Sequence, residues 1–128
     1  MLMKSSAATL GLALALGLTP SGAKAAPAAD PGARLWLQCR ACHSLKAGEP
    51  NKIGPNLHGI IGAKAGSRPG FRYSPAMAAS EITWTDAALD AWLTKPMAMV
   101  KGSSMAFAGM PAADDRKNLI AYLKRETR

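Results

Sequence analysis

Cysteine is scarce in this 128-residue chain: Cys39 and Cys42 are the only two. A pair so close in sequence can close only a tiny loop, so a disulfide framework is excluded. Histidine is equally sparse, with His43 and His58 alone, which leaves no second ligand pair for a closed four-ligand zinc site. Acidic side chains number 8 against 16 basic ones. No segment alternates convincingly at a period of two, and no internal repeat is visible. Sheet-based and repeat architectures are therefore disfavoured. The length allows one domain and excludes a multi-domain enzyme.

What is present begins with a leader. Residues 1–6 carry Lys4, residues 7–18 (AATLGLALALGL) are apolar and uncharged, and Ala23-Lys24-Ala25 is an A-x-A site. This layout predicts a secretory signal peptide over 1–25 and a domain over 26–128, exported to the periplasm. An uncleaved anchor is the alternative, but the apolar run is too short to span a bilayer. Removing Lys4 and Lys24 takes the basic side chains from 16 to 14 and the net charge from +8 to +6. A domain of about 100 residues is marginal on its own core. The cysteines cannot staple it, so a cofactor is expected.

The pattern predicts a small all-α, loop-rich fold. Residues 26–32 (APAADPG) read as a flexible lead-in. A first helix is expected from Ala33 to Arg40, with Leu35, Trp36 and Cys39 on one face. Residues 46–70 hold six glycines and three prolines and read as loop. A second helix is expected over Pro75–Ala79, and Thr85 reads as the N-cap of a third over Asp86–Thr94. Pro96, Gly102, Gly109 and Pro111 prevent residues 96–111 from forming one regular element. The last helix, Ala112–Arg125, carries Leu119, Ile120 and Leu123 on one stripe. Asp114 and Asp115 stand in its first turn and Lys124 and Arg125 in its last, as the helix dipole favours. Long ordered loops in so small a domain need something to wrap. A large flat apolar cofactor meets that need.

Residues 39–43 read Cys-Arg-Ala-Cys-His. C-x-x-C-H is the attachment signature of c-type haem: two thiols each add to a vinyl group, and the adjacent imidazole is placed under the iron. A thiol–disulfide oxidoreductase would set C-x-x-C in a βαβ pattern, which is absent. A sixth iron ligand is then required. Met77, Met97, Met99, Met105 and Met110 compete for it, with His58 as a bis-His alternative. Met105 follows Gly102 in a loop where backbone can approach closely, which favours it, with Met110 second.

Six segments in order carry a resemblance to class I cytochrome c of the mitochondrial and alphaproteobacterial type. They are CRACH at 39–43, GPNLHG at 54–59, GFRYS at 70–74, ITW at 82–84, SSMAFAGMP at 103–111 and LIAYLK at 119–124. The resemblance implies short helices wrapped around one covalent haem c. It implies thioether bonds at Cys39 and Cys42 and axial ligation by His43 and Met105. Pro55 matches the carbonyl that orients the proximal imidazole, and Tyr73 and Trp84 match donors to the haem propionates. Phe107 matches the aromatic at the haem edge, and Leu57 and Leu93 match haem-packing residues. Leu119 and Tyr122 match the terminal helix that crosses the first helix near Leu35 and Trp36.

The chain also departs from that pattern. Ala63 replaces an arginine near a propionate, with Lys64 and Arg68 as nearby cations. Trp92 replaces a tyrosine that donates to the methionine sulfur, and Met77 replaces an asparagine. The first helix is one residue short before Cys39, which shifts Trp36. Gln38, Met97, Ala98 and Ser104 stand where relatives often carry lysine.

The resemblance implies a monomeric, non-enzymatic one-electron carrier. Its donor is expected to be a quinol–cytochrome c oxidoreductase and its acceptor a haem–copper oxidase, both membrane complexes docked transiently. A dedicated accepting subunit of a periplasmic dehydrogenase is the alternative, with a haem peroxidase or gas-binding protein behind it. No small-molecule substrate is expected. Nor is nucleic acid, because the positive charge lacks aromatic interleaving or a binding motif.

Overall fold

The computed structural model describes residues 28–128; the leader expected over 1–25 and its cleavage site lie outside the described residues. The first helix, α1, spans Pro31–Trp36. It begins earlier than Ala33 because Asp30 caps it: Asp30 Oδ1 accepts from Gly32 N at 2.8 Å, and Pro31 takes the first position. Proline there has a helical φ and no N–H to leave unpaired. Part of the supposed flexible lead-in is therefore helix. Regular helix stops at Trp36 rather than Arg40. The chain continues in tight turns, with Cys39 N and Arg40 N both donating to the Trp36 carbonyl.

Ser74 and Thr85 start the next two helices, as their side chains allow. α2 is Pro75–Ala78, capped by Ser74 Oγ accepting from Met77 N at 3.2 Å. α3 is Asp86–Thr94, capped by Thr85 Oγ1 accepting from Ala88 N at 3.1 Å. α4, Pro96–Met99, was not expected. Pro96 keeps residues 96–111 from forming one regular element, but a proline at N1 equally opens a short helix. α5 spans Ala113–Glu126, with its acidic and basic ends placed as expected. Strands are absent among the described residues; Lys64 and Thr83 form one isolated antiparallel bridge.

α1 crosses α5 at close range. A Cβ on Gly32 would lie 2.5 Å from both Asn118 O and Tyr122 Cβ, so only glycine fits. Leu119, 1% exposed, is the most buried of the core side chains. The 46–70 loop is ordered by side chains instead of a ladder. Asn56 Nδ2 donates to Lys46 O and Glu49 O at 2.8 and 2.9 Å, and Ser44 Oγ donates to Pro50 O at 2.7 Å. Both side chains are buried, so these bonds satisfy groups that would otherwise be costly.

Candidate cofactor site

An apolar cleft of about 250 Å³ opens in the middle of these elements. Cys39, Cys42, His43, Pro55, Tyr73, Trp84, Trp92, Met105 and Phe107 all line it, although they lie up to 68 positions apart. Leu57 and Leu93 line it too, as expected for packing residues. Of the competing methionines, Met77 and Met105 reach the cleft. Met110 is 5% exposed in the core and its N–H donates to Leu93 O at 2.7 Å. His58 faces a separate cavity with Ile61, Lys124 and Thr127.

The turn after α1 sets the thiols and the imidazole. Cys42 N and His43 N both donate to the Cys39 carbonyl at 3.0 Å, and Gly54 N donates to Cys42 O at 2.8 Å. Lys52 Nζ donates to Arg40 O at 3.0 Å and pins the same turn. His43 Nδ1–H donates to Pro55 O at 2.8 Å. That bond fixes the tautomer and leaves Nε2 with a free lone pair. Burial pushes the His43 pKa down, the Pro55 bond pulls it back, and Lys52 lowers it further. The ring is thus a neutral donor, the form that binds a metal. A Cβ on Gly54 would stand 2.7 Å from His43 Nδ1 and 2.8 Å from Nε2, so the ring lies flat on that glycine. Burial, with the neighbouring Cys42, pushes the Cys39 thiol up to about 11.

Donors without acceptors mark another part of the cleft. Tyr73 Oη accepts from Arg68 N at 3.1 Å, and its own proton has no acceptor among the described residues. Burial pushes the Tyr73 pKa up. Trp84 and Trp92 are buried edge to face, with ring centroids 5.5 Å apart. Neither indole N–H meets a protein acceptor among the described residues, and no hydrogen bond joins Trp92 to Met105. Of the two cations near Ala63, Lys64 is engaged by Glu81 at 3.4 Å. Arg68 donates to His58 O and keeps a buried Nε without a partner. Two thiols, a free imidazole nitrogen, a thioether, apolar walls and spare donors form a set that fits haem with its two carboxylates.

The cleft also takes in Trp36, expected on the face of Cys39, and Leu89, which was not singled out. Helical spacing carried the signal: Trp36 precedes Cys39 by one turn, and Leu89 precedes Trp92 and Leu93 by one. Trp36 also packs on Tyr122, with centroids 6.5 Å apart.

No family model matches the chain. Individual relatives do. The chain is 45% identical over 101 residues to cytochrome c of Arabidopsis thaliana, covering 78% of this chain and 90% of that one. It is 43% identical over 103 residues to cytochrome c2 of Rhodomicrobium vannielii, covering 79% and 82%. Among solved structures it resembles cytochrome cH from Methylobacterium extorquens, with a TM-score of 0.70 and 38% identity over 74% of this chain and 95% of that one. Similarity of this extent, together with a cleft that brings C-R-A-C-H to a distant methionine, places the chain in the class I cytochrome c family, with one covalent haem c.

Proposed function

We propose that this protein is a periplasmic one-electron carrier between a quinol–cytochrome c oxidoreductase and a haem–copper oxidase. The observation that carries the reading is convergence: nine residues up to 68 positions apart line one apolar cleft. Cys39 and Cys42 would hold the haem through thioethers, and His43 and Met105 would ligate its iron. The haem supplies the ferrous–ferric couple. The chain's own residues orient and shield it. Pro55 fixes the His43 ring, Gly54 lets that ring seat, and Tyr73 and Trp84 turn their donors to the carboxylates. Trp92 and Phe107 add apolar cover, and Met105 sulfur favours the ferrous state.

With His43 and Met105 both engaged by the iron, the bound group would offer no open position to a small substrate. The protein acts as a monomer and not as an enzyme. Spectra of the purified periplasmic protein, oxidised and reduced, test this. A low-spin haem with a weak methionine–ferric absorption near the red end of the visible range is expected. A high-spin ferric spectrum would point to a peroxidase, and co-purification with one dehydrogenase would point to a dedicated subunit.

A further inference from the structure

The segment that carries Met105 leaves and returns at nearly one point. Met110 N donates to Leu93 O at 2.7 Å. Gly109 has φ 113° and lies so close to the Thr94 carbonyl that no Cβ fits. Between these ends, every hydrogen bond found for residues 96–108 stays local: Ala98 and Met99 to Lys95, Val100 to Pro96, Ser103 to Val100, Met105 to Ser103, Phe107 to Met105. Pro96 and Val100 are buried and add apolar anchorage. The polar ties of the segment to the rest of the fold are therefore at its ends.

Arg116 of α5 occupies the returning end. Its Nη1 donates to Met110 O at 2.9 Å and to Pro111 O at 2.8 Å. Its Nε donates to Asp90 Oδ1 of α3 at 2.7 Å. The Arg116 side chain is 11% exposed and the Asp90 side chain 46%. One guanidinium thus joins α5, α3 and the backbone just beyond Met105. A planar fork of donors can do this, whereas an ammonium cannot reach all three acceptors in one geometry. α3 and α5 share a second ion pair, Lys124 Nζ to Asp86 Oδ2 at 2.7 Å, which touches none of the 95–111 backbone.

We infer that Asp90 and Arg116 are positioning residues for Met105, a clasp that holds the ligand segment closed over the cleft. The inference rests on the reading of Met105 as the sixth ligand. Asp90 fixes the guanidinium, and the guanidinium fixes the two carbonyls. Without the carboxylate the fork can swing toward solvent, and the returning end of the segment loosens. Met105 then leaves its position more often, while the rest of the core stays packed.

The test mixes ferric holoprotein with rising imidazole and follows loss of the methionine–ferric absorption. At saturating imidazole the rate levels off at the rate of Met105 departure. Asp90→Asn and Arg116→Lys should raise that plateau roughly tenfold, equivalent to about 1.4 kcal/mol. Asp86→Asn, which breaks the other α3–α5 pair, should leave it unchanged. The thermal midpoints of Asp90→Asn and Asp86→Asn should be similar. Equal acceleration in both Asp variants would reduce the effect to general helix docking and overturn the clasp. An unchanged plateau in Asp90→Asn would overturn it as well. Met105→Ala separates the two readings. Persistence of the methionine absorption in that variant overturns the ligand reading and the clasp together, whereas its loss leaves the clasp to be decided by the plateau rates.

Discussion

The His43 imidazole is held between Pro55, whose carbonyl takes its Nδ1–H at 2.8 Å, and the bare Cα of Gly54. The two neighbours do different work. Pro55 selects the tautomer and aims Nε2; Gly54 makes the space in which the ring can be aimed. Both belong to one segment, GPNLHG, and that segment is tied back to the attachment turn through Gly54 N and Cys42 O. The imidazole, its orienter and its clearance thus come from two short stretches that fix each other.

Gly54→Ala should unseat the imidazole. The added methyl must push the ring or shift the backbone, and overpacking of this kind costs about 1–3 kcal/mol. The thermal midpoint of the holoprotein should fall, and the reduction potential should move with the altered ligand geometry. A variant with wild-type midpoint and potential would show that the ring has slack here.

Cys39→Ala and Cys42→Ala should each lose stable holoprotein. Trp36, Met77, Trp84, Trp92, Leu93, Leu119 and Leu123 belong to the core and also line the cleft, so a group seated there would pack directly against the core. Circular dichroism and haem content after purification check this. Full helicity without haem would show that the loops order themselves. His43→Ala should abolish the native low-spin spectrum.

Much of the fold is legible in the sequence, and the reasons differ by element. α3 was readable to the residue because Thr85 caps it through its own side chain. The start of α1 is hidden because Asp30 and Pro31 have linker-like composition, although together they form a cap and a first helical position. α4 was invisible because a four-residue helix has no periodicity to read. C-R-A-C-H and the family resemblance single out His43 and Met105 as candidate ligands, whereas spacing alone leaves Met105 and Met110 both open; of those two methionines, Met105 lines the cleft. Arg116 was illegible altogether. Its partners are two carbonyls and a carboxylate on another helix, and nothing local in the sequence encodes that meeting.

Met105→Ala and Met110→Ala should separate ligation from packing. Met105→Ala keeps the haem attached but empties or exchanges the sixth position, and the potential falls because thioether sulfur favours ferrous iron. Met110→Ala keeps the spectrum and the potential. Its side chain is 5% exposed, so its loss should cost on the order of 2–5 kcal/mol of stability. Chemical denaturation followed at the haem band measures both. An essential Met110 and a dispensable Met105 would mean that the register of 103–111 is misread.

The docking face should respond weakly to salt. Charge steers partners from a distance, while the final complex depends on the groups around the opening of the site. Gln38 and Ser104 line the cleft and are exposed without charge, as is Ile53, which is 82% exposed. Met97 is 47% exposed and Ala98 lies beside it in α4. Lys52, the cation next to Ile53, donates to Arg40 O and is thereby drawn onto the attachment turn. Apolar contact by Met97 and Phe107 should therefore carry more of the binding than a ring of lysines. Met97→Ser should slow electron transfer to an oxidase more than Lys101→Ala does, at ionic strengths where the Debye length is about 8 Å. Stopped-flow rates across a salt series decide it. A steep fall between low and physiological salt, with no effect of Met97→Ser, would place the binding energy in basic groups instead and leave Met97 an ordinary exposed side chain.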